Sequence, residues 1–198
     1  MHISEGVLSA PVLIGGAGLA AVGTAVGLKS VDYDRIMSVA ILSATFFIAS
    51  LIHVPIGPSS AHLVLNGLLG LILGWAAFPS ILVALLLQAI LFQYGGLTTL
   101  GINTFDMAAP AVVAYYVFRP LLHRGAGTRF AAAFGCGFSA LLLSTLFTAG
   151  ALALSGDAFL GAAKVLFLAH LPIMVAEGLI TAFAYAFLAK VKPEALTA

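Results

Sequence analysis

The chain has 198 residues, of which 62% are hydrophobic and only 15 are charged, 8 Lys+Arg against 7 Asp+Glu. A soluble domain carries about 25% charged residues, so this chain cannot supply a water-facing surface; the same scarcity excludes a disordered chain and a nucleic-acid binder, which needs a basic excess. The single cysteine, Cys136, excludes a disulfide framework and any multi-cysteine zinc or iron–sulfur centre. What remains is an all-α polytopic membrane protein forming one transmembrane domain over residues 1–198, since the apolar runs are long and continuous rather than short and alternating as in a β-barrel.

A spanning helix needs about 20 mostly apolar residues, and seven transmembrane helices can be placed in chain order. Segment 1–6, Met-His-Ile-Ser-Glu-Gly, lacks the positive n-region of a secretory signal, so the first span, 7–28, is expected to stay in the protein. The second span is 36–52. Segment 53–60, with two prolines and a glycine, cannot be continuous helix. It is too apolar for an exposed loop and reads as a re-entrant or cavity-lining one, which is tolerated only inside protein. The third span starts after Pro58 and runs to residue 78. Ser59 or Ser60 would cap it, which puts His62 in its first turn and Asn66 one turn on, on the same face. The fourth span is 81–94, followed by a polar, glycine-containing cavity loop at 95–106. The fifth is 107–122, the sixth 130–154 and the seventh 165–188, ahead of a polar tail at 190–198.

Seven spans put the termini on opposite sides. With the N-terminus outside, the cytoplasmic segments carry Lys29, Arg35, Arg119, Arg124, Arg129, Lys190 and Lys192, seven of the eight basic residues, and the outer segments only Lys164. That is the positive-inside pattern, and it places the C-terminus in the cytoplasm. Small residues four apart let helices approach closely in lipid. Ala40 and Ala44 form such a face, as do Gly16 and Ala20, and either could meet another subunit or pack internally.

Polar groups at membrane depth mark function by default. His2, the His53–His62 connection and the 95–106 loop converge on the outer side, which is the layout of a substrate site. Glu5, Ser59, Ser60, Asn66, Asn103 and Thr104 are its candidate supporting or cavity-lining residues. His170 and Glu177 share a helix face but stand about 10 Å apart along the axis. They cannot both bind one ion directly, and hydrogen bonds to neighbouring helices suit them better. His123, beside Arg119 and Arg124, reads as a solvated loop histidine.

A histidine at position two carries a chelator built by covalent geometry. The Met1 amine, the His2 amide nitrogen and His2 Nδ1 close one five-membered and one six-membered ring in a plane, and one outside imidazole completes four nitrogens. Square-planar nitrogen selects Ni(II) or Cu(II) over the tetrahedral preference of Zn(II). A bound cation promotes loss of the amide proton. The chelate needs a free N-terminus that keeps Met1, and the bulk of His2 opposes removal of that methionine. His62 is the first choice for the fourth ligand and His53 the second.

Several motifs resemble one family. Met1-His2-Ile3-Ser4-Glu5-Gly6-Val7-Leu8 is similar to the Met-His-Ile-x-(Asp/Glu)-Gly-x-Leu start of the substrate-binding S subunits of cobalt/nickel energy-coupling-factor transporters, the CbiM/NikM family. The run from Val54 through His62 to Gly70, the Gly95–Phe105 run, and His170-Leu171-Pro172 with Glu177-Gly178-Leu179-Ile180-Thr181 resemble its further motifs, so the likeness extends from end to end. It implies a seven-helix S subunit in a bacterial or archaeal cytoplasmic membrane, with the N-terminal segment inserted into the site from outside. It implies metal ligation by the Met1 amine, the His2 amide and ring, and His62. His53 departs from the family, where lysine is frequent, which weakens it as a ligand. The Pro-Ile-Gly-Pro form of the loop is similar to the nickel-type members, so Ni(II) is favoured over Co(II) as the bound substrate ion, with no catalytic cofactor. The implied partners are a transmembrane T subunit, two cytoplasmic ATPase subunits and a small accessory membrane subunit. The chain itself has no Gly-x-x-x-x-Gly-Lys-(Ser/Thr) phosphate loop and is expected not to be an enzyme. The alternatives are a cobalt-specific S subunit serving cobalamin synthesis, and an S subunit for an organic vitamin. Trp75 as the only tryptophan disfavours the latter. A membrane metalloprotease would need His-Glu-x-x-His, which is missing, and one chain of seven spans lacks the symmetry of a channel.

Overall fold

The computed structural model describes residues 2–31, 33–51, 53–56 and 59–196; at residues 33, 53–56 and 59–61 only the backbone is described. Seven α-helices follow one another: α1 (Ala10–Lys29), α2 (Ile36–Ala49), α3 (Asn66–Leu73), α4 (Ala77–Phe92), α5 (Leu100–Leu122), α6 (Ala126–Ser155) and α7 (Leu160–Val191). Between α2 and α3 lie two short strands, β1 (His53–Ile56) and β2 (Ser59–His62), paired antiparallel with His53 opposite His62 and Ile56 opposite Ser59. Four segments among the described residues are long and apolar enough to cross a membrane: Ala10–Lys29, Asn66–Phe92, Ala126–Ser155 and Asp157–Val191.

Neighbouring helices alternate in direction. Ser43 of α2 donates to Ser80 O (2.8 Å) and Gln88 of α4 donates to Phe47 O (3.2 Å), so α2 and α4 run the same way. Asn66 donates to Met107 O (3.0 Å), and a Cβ at Gly70 would lie 2.3 Å from Ala111 O, so α3 and α5 likewise run the same way, and directions alternate along the chain. α6 and α7 are joined by only four residues and so run antiparallel, in contact at backbone distance where Gly137 abuts Glu177 O and Gly178 abuts Phe134 O. α1 packs through a stripe of Gly16, Ala20, Gly23 and Gly27, all buried. A Cβ at Gly16 would lie 2.6 Å from Ile102, and one at Gly27 2.5 Å from Trp75 O. This settles the two small-residue faces read in the sequence. Gly16 and Ala20 serve internal packing, whereas Ala40 and Ala44 are exposed along a groove of about 420 Å³ between α2 and α4.

Two sequence expectations need correction, and a third gains detail. The 53–60 segment, expected as a re-entrant or cavity-lining loop, carries regular pairing that the sequence did not suggest, since residues 53–56 enter a ladder with β2. Proline forbids helix but is compatible with an edge strand, and a hairpin satisfies backbone groups where water is scarce. The third helix does not begin after Pro58. It begins at Asn66 and ends at Leu73, where the chain reverses through a 3-10 turn at Gly74–Ala76 with Gly74 at φ 54°. Finally, α5 starts at Leu100, so the 95–106 loop is really 93–99, and Asn103, Thr104 and Asp106 sit in the first two turns of a helix.

Candidate metal site

The N-terminal segment is threaded into the helical body. Ile3 has no exposed surface and packs with Leu8, Ile102, Ala151, Leu152 and Leu166. Its backbone is gripped by one side chain: Ile3 N–H donates to Asn103 Oδ1 (2.9 Å) while Asn103 Nδ2 donates to Ile3 O (3.1 Å). A carboxamide used in this way replaces a partner strand. Asn103 Nδ2 also reaches Thr99 Oγ1 at 3.2 Å, which fixes the amide's orientation.

The next residues are held from the 93–99 turn and from α6. Glu5 Oε1 accepts from the Thr98 backbone N–H (3.0 Å) and from Thr98 Oγ1 (3.3 Å). The Thr98 N–H, aided by its hydroxyl, keeps the Glu5 carboxyl below its usual range, against a smaller opposing effect of burial. Gly96, at φ 150°, is required for this contact, since a Cβ there would lie 1.9 Å from Glu5 Cγ. Ser9 N–H donates to Ser155 Oγ (3.1 Å) at the end of α6. The segment is thereby fixed at residues 3, 5 and 9, and His2 is carried inward to 4% exposure.

The imidazole of His2 stacks on that of His62, with centroids 4.6 Å apart and planes at 23°, and its other neighbour is the Tyr94 ring at 6.4 Å. His62 is 3% exposed. Its Nδ1 lies 2.7 Å from Leu63 O. A carbonyl oxygen only accepts, so Nδ1 carries the proton and Nε2 the lone pair. Among the described residues that Nε2 is buried and has no hydrogen-bond partner. An imidazole whose far N–H is tied to a carbonyl, with its lone pair left open, has the arrangement of a metal-ligating histidine. Stacked rings present faces rather than nitrogens to each other, so a shared ion requires one ring to swing on binding.

Two expectations about His62 need correction. It is the last residue of β2, not part of a helix, and Asn66 opens α3. Nor does a serine cap that helix. Glu177 of α7 instead holds the backbone just before the helix, its carboxylate accepting from Val64 N–H and, at 2.9 Å, from Leu65 N–H. Leu65 takes a left-handed φ of 54° to turn the chain there. An anion at a helix start is favoured by the helix dipole. Glu177 and the Asn103 latch were not legible as partners, because each pairing joins residues about a hundred positions apart. Tyr94 gave no signal beyond its place at the end of a span.

The remaining candidates are distributed as follows. Asn66 donates to Met107 O and to Ser144 Oγ (2.8 Å). Thr104 turns its hydroxyl back to Leu100 O (2.7 Å) and is spent within its own helix. Met1 lies outside the described residues, as do the side chains of His53, Ser59 and Ser60, although His53 occupies the register position opposite His62. No group of three or more His, Cys, Asp or Glu among the described residues could hold an ion. Among the described residues, His2 and His62 are the two imidazoles that stack on each other.

The chain is similar to known proteins along nearly its whole length. The family described as CbiM, cobalt uptake substrate-specific transmembrane region, matches residues 2–195. A Haemophilus influenzae protein, provisionally described as a metal transport protein, is 41% identical over 99% of this chain and 97% of its own length. A cobalt transport protein CbiM of Kyrpidia tusciae is 34% identical over 100% of this chain and 86% of its own. The crystal structure of a transition metal transporter superposes with a TM-score of 0.83 at 30% identity, covering 96% of this chain and 93% of that one.

Proposed function

Because the chain belongs to the CbiM family, the substrate-specific transmembrane components of cobalt uptake, we propose that it is the ion-capturing S subunit of an energy-coupling-factor importer, taking Ni(II) or Co(II) from outside the cell. The observation that carries this reading is the buried His2–His62 pair at the end of a pinned N-terminal segment. In the proposed site the Met1 amine, the His2 amide and ring nitrogens, and His62 Nε2 surround the ion. All four donors are nitrogen, and the deprotonated amide supplies the negative charge. This explains how a chain with so few acids can select a divalent ion.

The alternating helix directions support seven crossings. In this reading the 53–62 hairpin and α3 together occupy the third pass. The distribution of basic residues supports an outer N-terminus and a cytoplasmic C-terminus. ATP hydrolysis belongs to two cytoplasmic ATPases acting through a T subunit, with a small accessory membrane subunit, and the groove at Ala40 and Ala44 is the proposed contact. Ni(II) is favoured over Co(II) on the Pro-Ile-Gly-Pro loop and on the affinity order of nitrogen sites; the cobalt reading rests on the relatives' names.

The test is metal analysis of purified protein with a native N-terminus, loaded from equimolar Ni(II) and Co(II). One ion per chain, mostly nickel, is expected. Extending the N-terminus, or changing His2→Ala or His62→Ala, should abolish stoichiometric loading of the purified protein. Full loading of the extended protein would overturn the proposed ligand set.

A further inference from the structure

We infer that His170 Nε2 and Asn66 Oδ1 form a second, inner binding level for the same ion, used after it leaves the N-terminal chelate. The inference rests on the proposed function above.

His170 has no exposed surface. Its Nδ1 lies 2.8 Å from Leu166 O, one turn back on α7, so Nδ1 carries the proton and Nε2 the lone pair. That Nε2 is buried with no hydrogen-bond partner among the described residues. This repeats the arrangement of His62, where a backbone carbonyl holds Nδ1 and Nε2 is left open. Asn66 is fully buried, and both its amide donations, to Met107 O and Ser144 Oγ, come from Nδ2. Its orientation is therefore fixed, and Oδ1 is also buried without a partner. An open lone pair is costly when buried, and both of these belong to donor types that bind divalent transition ions.

Contacts between helices place the two groups at one depth. Asn66 meets α5 at Met107 and α6 at Ser144. α6 and α7, joined by only four residues, are antiparallel and meet at Gly137 and Gly178, which brings His170 level with about residue 145 of α6. Asn103, which grips Ile3, is about one turn, roughly 6 Å, nearer the start of α5 than Met107. α7 packs against β2 and α3. Glu177, on the same face as His170, holds the backbone just before Asn66. An ion released by the His2 chelate and still held by His62 therefore meets its next open donors one turn further in.

His170→Asn separates this role from packing, because its Nδ2 can keep the Leu166 bond while the Nε2 atom is deleted. Purified His170→Asn with a native N-terminus should bind one Ni(II) with wild-type affinity, yet nickel uptake by the complete importer should fall at least about tenfold. His62→Ala should retain a weak Ni(II) site, detectable by calorimetry, that the His62→Ala/His170→Asn double variant lacks. Wild-type uptake by His170→Asn, or no difference between the single and double variants, would overturn the inner level. So would loss of capture in folded His170→Asn, which would make His170 part of the first site. If His2→Ala and His62→Ala bind as wild type, it is the capture site itself that fails, and the inner level with it.

Discussion

A single residue decides most at His62. Its Leu63 contact fixes the tautomer, so His62→Gln, which keeps a polar atom in the pocket, should still lose Ni(II) affinity by at least about a hundredfold while the metal-free protein melts unchanged. The type and position of His2 and His62 were legible because a histidine at position two makes a chelator without any fold. What fixes those rings was not legible: Asn103 contacts Ile3 across a hundred positions, and helical periodicity says nothing of a carboxamide standing in for a strand. Glu5 gives a pH dependence with a definite sign. Its carboxyl is held below the usual range chiefly by the Thr98 N–H. The N-terminal segment is therefore better fastened above the ordinary carboxylate range, and the fastening is lost as pH falls through the lowered value. Glu5→Gln should speed hydrogen exchange at the Ile3 amide of the metal-free protein at neutral pH by severalfold, and the gap from wild type should close on acidification. An equal gap at pH 7 and pH 3 would show that the carboxylate charge is not what fastens the segment.

At the scale of elements, the site depends on a helix too short to stand alone. α3 has 8 residues, below the ~12–15 at which isolated helices become marginal in water. All of them are buried, and Gly70 packs directly on the α5 backbone. The backbone N–H groups of the two residues before it are met from α7 by Glu177, and no side chain caps it. This is why the third span was read as one long helix from Pro58: hydropathy registers burial, and the same apolar residues suit a half-helix inside protein as well as a span in lipid. Glu177→Gln presents an amide N–H₂ to donors that need an acceptor. Loss of a charge-assisted bond costs about 2 kcal/mol, so the melting temperature in detergent should drop by about 5 °C, with capture weakened alongside because Val64 and Leu65 directly follow the His62 strand. The 93–99 turn makes the complementary case. Gly96→Ala must drive Glu5 away, so it should weaken capture while leaving the helical body, and therefore the melting temperature, intact.

For the whole molecule, charge and packing divide the surface into roles. Arg35 donates to Ile72 O (2.9 Å), Arg119 lies over the Tyr115 ring (5.0 Å) and Trp75 donates to Tyr116 (3.0 Å), so arginines and interfacial aromatics gather where α1, α3 and α5 end. Trp, Tyr, Lys and Arg favour the membrane boundary in this way, and the His2 segment occupies the opposite end of the bundle. Ser4 and Lys192 are exposed at those two ends, while Cys136 is buried. In intact cells an impermeant maleimide should label Ser4→Cys and spare Lys192→Cys, and inverted vesicles should reverse the pattern. The groove between α2 and α4 then faces sideways, lined by Ala40, Ala44, Phe47, Val83 and Leu87. Exposed alanines amid larger apolar side chains leave a channel that another helix can enter closely, whereas the buried Gly16 and Ala20 have already spent their small size on α5. The double variant Ala40→Trp/Ala44→Trp fills the groove without touching the site. It should bind Ni(II) as wild type does, yet fail to copurify with a T subunit and lose transport. Loss of metal binding in that variant would mean that the groove supports the site from within and that the partner docks elsewhere.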